Sequence, residues 1–181
     1  MTSENTILNS EKLNDVIHKI AEQIIAEFNK EELEEVALVG IQRRGVPLAK
    51  RLCEIIKIQT GTCPKLAKLD ISMYRDDIGY NKKLPIINET SIPFDVNNKI
   101  VILTDDVLFT GRTIRAALDA ITDYGRPKII RLAGVIDRGG REFPIRSDYV
   151  GLEVDIPKNN HIKVKWREID EKDEVIKVIF N

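Results

Sequence analysis

An α/β fold with a mostly parallel sheet is what this chain predicts, and three observations carry the prediction. Two short, nearly all-apolar runs, VALVGI at 36–41 and KIVILT at 99–104, have the composition of strands buried on both faces. Segments with helical spacing of apolar residues separate these runs from each other and from a third strand-like run at 128–136. Strand, helix, strand, helix, strand is the order that builds a parallel sheet with helices on both faces. In such sheets ligands bind beyond the C-terminal ends of the strands.

Composition sets the outer bounds. The chain has 181 residues, with 28 Lys and Arg against 29 Asp and Glu, for a net charge of −1. That length suits one domain spanning 1–181. Near-neutral charge argues against generic polyanion binding, which needs a basic surplus. At 43% hydrophobic and 31% charged, the chain is not a disordered one. No apolar run has the length of a membrane span, and the opening MTSENTILNS shows no secretory pattern. Two cysteines, Cys53 and Cys63, exclude a disulfide scaffold. The expected location is the cytoplasm.

The elements follow in order. Residues 10–28 form an amphipathic helix with Ser10 as N-cap and Leu13, Val16, Ile17, Ile20, Ile24 and Phe28 on one face. The acidic run 31–35 is expected as a solvated turn. After the strand at 36–41 comes the turn Gln42-Arg43-Arg44-Gly45, then a helix over 46–58 with Pro47 near its start. Residues 65–73 are expected as a strand. The polar stretch 74–98, with Gly79, Pro85 and Pro93, is long for a loop in a compact domain, and such loops are commonly functional. The strand at 99–104 runs into a loop at 105–111, and a helix over 112–124 stops at Gly125 with Pro127 beyond. The strand at 128–136 ends in Asp137-Arg138-Gly139-Gly140. Short strands over 149–154, 161–166 and 175–180 close the chain. Cys53 is expected to pack on its helix, and Cys63 shows no partner. His18 and His161 are not spaced as metal ligands.

The loops at 42–45, 105–111 and 137–140 all lie at strand C-termini and all carry charge and glycine. The segment Asp105-Asp106-Val107-Leu108-Phe109-Thr110-Gly111-Arg112-Thr113 is the most specific. Its Thr-Gly turn opens a helix, so backbone N–H groups and the positive end of the dipole face an anion. Thr110 and Thr113 add hydroxyls, and Gly111 allows close approach. Neither GxxxxGK[ST] nor GxGxxG is present. Two adjacent carboxylates would repel a phosphate unless they accept bonds from sugar hydroxyls or face a hydrated divalent cation. A phosphorylated ribose uses all of these groups. The competing reading is a helix start with capping acids.

VILTDDVLFTGRT, over 101–113, resembles the phosphoribosyl-pyrophosphate (PRPP) motif of the type I phosphoribosyltransferases. LVGIQRRGVPLAKRL, LDISMYRDD and VIDRGGREFPIRSDYVG extend the resemblance over most of the chain, toward the uracil phosphoribosyltransferases of the pyrimidine operon regulator family, PyrR. The resemblance implies the type I phosphoribosyltransferase fold: a twisted parallel core, a small hood from the chain ends, and a flexible loop over 74–98. It implies transfer of ribose 5-phosphate from PRPP to uracil, giving UMP and pyrophosphate. Thr110, Gly111, Arg112 and Thr113 would anchor the 5′-phosphate, with Val107, Leu108 and Phe109 completing the substrate-binding motif. Asp105 and Asp106 would hold the 2′ and 3′ hydroxyls and support positive charge at C1′. Mg²⁺, held mainly through PRPP and water near Asp105 and Asp106, would act with Arg43, Arg44 and Arg75 on the leaving pyrophosphate. The catalytic residues so implied are Asp105, Asp106 and Arg44. Arg138 and Ile162 would help form the base pocket. No general base for uracil stands out. On the residues alone, Arg43 and Arg44 also read as a solvated pair, Arg138 as a surface ion-pair partner and Ile162 as core.

The family also binds a pyrimidine operon leader RNA and attenuates transcription, which would place His18, Lys19, Arg141 and Arg146 on an RNA face. The first helix departs from that pattern, because Glu11, Asp15, Glu22 and Glu27 surround His18 and Lys19 and oppose phosphate contacts. Family members are homo-oligomers, dimers or higher. Two other functions remain open: a non-catalytic nucleotide-sensing RNA attenuator, and a purine phosphoribosyltransferase.

Overall fold

The computed structural model describes residues 2–76, 87–157 and 159–180. Part of the expected flexible loop, residues 77–86 with Asp77, lies outside the described residues. The strands are β1 Thr2–Leu8, β2 Val36–Ile41, β3 Lys65–Leu69, β4 Ile100–Leu108, β5 Ile129–Asp137, β6 Tyr149–Glu153, β7 His161–Lys165 and β8 Glu174–Phe180. The helices are α1 Ser10–Glu27, α2 Lys30–Glu34, α3 Gly45–Thr60, α4 Arg112–Thr122 and α5 Arg167–Asp170. Five strands form a sheet ordered β3-β2-β4-β5-β6, and every pairing in it is parallel. The expected α/β class, and the hood built from the chain ends, are both present. The hood is an antiparallel sheet ordered β1-β8-β7.

The apolar runs of β2 and β4 form central strands because each alternate residue finds a core. Val36 and Leu38 of β2, and Ile100 and Ile102 of β4, enter one core with α1 and α3. Val39 and Ile41, with Val101 and Leu103, enter the opposite core with α4. Each fully buried aliphatic side chain removed from water contributes about 1.5–3 kcal/mol, so losing either face would be costly. Trp166 and Val164 of the hood also sit in the first core, tying the hood to the main sheet.

Several local expectations are corrected. The N-cap of α1 is Asn9, whose side-chain oxygen accepts from Lys12 N at 3.0 Å, so Ser10 is the first helical residue. The acidic run is not a turn but most of α2. Asn29 and Glu32 form a capping box there, each side chain accepting the other's backbone N–H at 2.9 and 3.2 Å. The third strand stops at Leu69. Asp70 then turns the chain by accepting Ser72 N at 2.6 Å, and a 3₁₀ turn follows over Ser72–Tyr74. β1 has no apolar alternation and was not expected; its partner β8 supplies the pairing. Cys63 does have a neighbour, since its Sγ lies 3.8 Å from that of Cys53.

Candidate active site

β4 is longer than expected and carries the acid pair on the strand itself. Asp105 sits opposite Gly134 and Leu108 opposite Asp137 in the parallel register with β5. Asp105 and Asp106 line a cavity of about 530 Å³ at the C-terminal edge of the sheet. Their carboxylates are partly organised by backbone: Asp106 N donates to Asp105 Oδ1 and Val107 N to Asp106 Oδ1, both at 2.9 Å. Both residues are half-buried at the cavity wall, with protein around them. That desolvation, and then the charge of Asp106, drive the carboxyl of Asp105 well above the usual carboxylate range. Desolvation also raises Asp106, to about 6, while the guanidinium of Arg44 opposes the rise.

Three arginines share this cavity: Arg43, Arg44 and Arg75. The Gln42–Arg43 peptide is cis. Gln42 anchors its turn to the neighbouring strand end, donating from its backbone N to Leu69 O at 2.9 Å. Gly45 is required by close packing, because a Cβ there would lie 2.0 Å from Thr104 O. Thr104 Oγ1 in turn donates to Gly45 O at 2.8 Å. The arginine turn is thus bolted to β4 one residue before the acids. Arg44 reaches across to the hood and forks onto Asp170, with Nη1–Oδ2 at 2.6 Å and Nη2–Oδ1 at 2.8 Å.

The turn before α4 gathers backbone donors at the start of the helix. Gly111 is the N-cap, with φ 91°, and no side chain caps the helix. Arg112 N donates to Thr110 Oγ1 at 3.4 Å, and the other amides of the first turn have no side-chain cap and lie at the positive end of the dipole. Thr113, in that first turn, lines the same cavity as the acids and arginines. Thr110 holds the turn through its carbonyl, which accepts Glu142 N and Phe143 N at 2.9 and 3.0 Å. Arg112 points outward, at 2.5 Å from Asp76 and 2.6 Å from Glu142.

A second cavity, of about 790 Å³, opens beside the first and is lined by Phe109, Arg138, Arg146 and Ile156 among others. Arg138 stacks on the Phe109 ring at 4.0 Å from its centroid. It is only 6% exposed, and its Nε is buried with no hydrogen-bond partner. Burial lowers its pKa, as expected for a guanidinium short of compensation. A guanidinium stacked on an aromatic ring at a cavity wall suits a planar polar ligand.

Other expected residues lie outside the cavity of the acids and arginines. Leu108 points into the core behind α4. Ile162, on β7, packs against the core shared with the hood and lines neither cavity. Lys19 donates to Gly151 O at 2.9 Å, and His18, half-buried on α1, sits away from both cavities. Arg141 turns inward, donating to Ile145 O and Phe109 O at 2.7 Å each and pairing with Asp137 at 2.5 Å. These bonds brace the loop, and Arg141 also lines the second cavity. Arg146 is exposed. Ser72, Asn88 and Asp170 are additions at or beside the site. No local pattern in the sequence marks them, since each is brought there by a distant segment.

For a divalent cation, the cavity offers the carboxylate oxygens of Asp105 and Asp106. Among the described residues there is no cluster of three His, Cys, Asp or Glu side chains arranged as a metal cage. That donor set fits a hard cation that keeps its water and ligand oxygens. No helix among the described residues is long and apolar enough to cross a membrane.

Comparison with known proteins agrees with this geometry. The family model described as phosphoribosyl transferase domain matches residues 3–169. The chain is 48% identical over 176 residues to the Bifunctional protein PyrR of Alkaliphilus metalliredigens, covering 97% of this chain and 96% of that protein. It is 48% identical to the protein of the same name from Deinococcus radiodurans, over 93% of this chain and 91% of that protein. Among solved structures, a hypoxanthine-guanine phosphoribosyltransferase from Bacillus anthracis superposes with a TM-score of 0.71 at 19% identity, over 97% of this chain and 98% of that one. The hypoxanthine phosphoribosyltransferase of Trypanosoma cruzi gives 0.72 at 15%, over 96% and 95%. At those identities the two enzymes speak for the fold alone.

Proposed function

The chain belongs to the phosphoribosyltransferase domain family, within its pyrimidine operon regulator (PyrR) branch, and from that premise we propose that it converts uracil and PRPP to UMP and pyrophosphate. One observation carries the reading: a single cavity holds an acid pair, three arginines and an uncapped helix start. Those groups match a diol, a pyrophosphate and a 5′-phosphate, the three polar parts of PRPP. Arg138 stacked on Phe109, at the wall of a second cavity of about 790 Å³, supports a place for a planar base.

The chemistry asks for position and charge more than for covalent steps. The amides of the first turn of α4, with Thr110 and Thr113, hold the 5′-phosphate. Asp105 and Asp106 accept the ribose hydroxyls. Ionised, Asp106 stabilises the positive charge that grows at C1′ as the bond to pyrophosphate breaks. Arg43, Arg44 and Arg75 bind the departing pyrophosphate and draw its charge away from the acids. Mg²⁺ carried on PRPP oxygens and water, near Asp105 and Asp106, would supply further charge neutralisation at the leaving group. Arg138, stacked on Phe109 at the wall of the second cavity, orients the base.

The test is direct. Purified protein with uracil, PRPP and Mg²⁺ forms UMP, and Asp105→Asn nearly abolishes it. Hypoxanthine and guanine, tried alongside, give no product. Product from a purine but not from uracil would replace this reading with the purine one. No product from any base would leave the nucleotide-sensing attenuator. The name shared by the relatives, bifunctional, supports adding regulation through a pyrimidine operon leader RNA. Arg146 is then the leading contact, because Arg141 and Lys19 are engaged within the protein. Loss of leader RNA binding in Arg146→Ala, read by filter binding, tests that addition.

A further inference from the structure

Arg44 lines the cavity of the acid pair and acts by its charge on Asp106, and it is also held by the hood. Its guanidinium has five donors. Nη1 gives one hydrogen to Val164 O at 2.5 Å and one to Asp170 Oδ2 at 2.6 Å, and Nη2 gives one to Asp170 Oδ1 at 2.8 Å. Nε and one Nη2 hydrogen are left for a ligand in the cavity that Arg44 shares with Asp105 and Asp106.

Asp170 is itself fixed from behind. Its Oδ2 accepts Trp166 N at 3.0 Å, and Trp166 is fully buried in the core. Lys163 Nζ stands 3.7 Å from Oδ1. The carboxylate is only 14% exposed, so it is a stationary anchor, while the arginine is the long, flexible partner.

We infer that Asp170 is a positioning residue for the transferase reaction, holding Arg44 in a fork so that its remaining donors face the leaving pyrophosphate. The inference rests on the reading of this cavity as the PRPP site. Asp170 makes the fork and supplies the competing charge. Asp106 attracts the same guanidinium, and Asp106 is the carboxylate that the ribose needs. A hood carboxylate that outcompetes Asp106 for Arg44 keeps the two halves of the site apart. Asp170 lies 126 positions from Arg44 in the chain, so docking of the hood completes the site.

A double-mutant cycle tests this, with PRPP affinity read by calorimetry and kcat and KM read separately for each substrate. In Asp170→Asn, kcat/KM for PRPP falls about 10- to 100-fold, the cost of a misplaced binding group. KM for uracil stays within about twofold, the scatter of such determinations. In an Arg44→Ala background, adding Asp170→Asn produces no further loss. Equal losses in both backgrounds would show Asp170 to be merely structural and overturn the inference while leaving the proposed function standing. Tighter PRPP binding in Asp170→Asn would also overturn it, by showing that Asp170 competes with the ligand. Wild-type protein that binds no PRPP would sink the functional reading and the inference with it. If Asp170→Asn fails to fold, Asp170→Glu keeps the charge and displaces the fork. A PRPP-specific loss that vanishes without Arg44 is again the expected result.

Discussion

Replacing Asp106 by asparagine removes a charge that the fold holds at a cost. In the unfolded chain its carboxyl titrates near the ordinary 3.8, and in the folded protein at about 6. The folded state therefore binds that proton more tightly. The stability this group contributes is fullest below the ordinary value and is lost as pH rises through about 6. The gap between the two values corresponds to about 3 kcal/mol. That figure is an upper bound, because the cavity admits water to the carboxylate. Asparagine is close in shape and its oxygen can still accept Val107 N. Asp106→Asn should thus stabilise the unliganded protein at pH 7.5 by up to about 3 kcal/mol, or about 6–12 °C in Tm for a chain of this size. The gain should fall to about 1 kcal/mol at pH 4.5 and vanish only below the ordinary value. Urea unfolding of both proteins at the two pH values measures it. The same substitution should abolish UMP formation. It should also remove most of the protection that saturating PRPP gives the wild type, about 2.7 kcal/mol at one hundred times Kd. A variant less stable than wild type at pH 7.5, or one equally stabilised at both pH values, would refute the argument that this carboxylate is paid for in stability.

Three further outcomes follow from other contacts. Gly45→Ala puts a Cβ 2.0 Å from Thr104 O, so the arginine turn must lift off β4. A loss of about 1–3 kcal/mol in urea unfolding is expected, with weaker PRPP binding in calorimetry. Arg138→Ala removes the buried donor over Phe109. KM for uracil should rise about 10- to 100-fold, the worth of a hydrogen bond from a charged group, while PRPP affinity holds. Asn9→Ala deletes the cap of α1, whose oxygen accepts Lys12 N, and should lower unfolding stability by about 1 kcal/mol without changing turnover.

The residues that need only near neighbours were legible without the fold. β2 and β4 announce themselves because both of their faces are apolar, and the turn from Thr110 to Thr113 because glycine and threonines before an amphipathic helix leave few other conformations. Local rivalry accounts for the nearby errors: Asn9 and Ser10 can each cap a helix, and the acids of α2 looked like a turn until Asn29 and Glu32 capped one another. The hood was different, since β1 is polar and becomes a strand only through β8 from the opposite end of the chain. Arg141 carries the same charge as Arg146, yet one braces its own loop and the other meets solvent. Composition and spacing therefore determined the class of fold, the Thr-Gly turn that opens α4 and the acid pair. Tertiary structure alone decided which arginines line the acid-bearing cavity, which brace their own loop, and that Asp170 holds Arg44, because partners so far apart in the chain leave no pattern until docking brings them within hydrogen-bond reach.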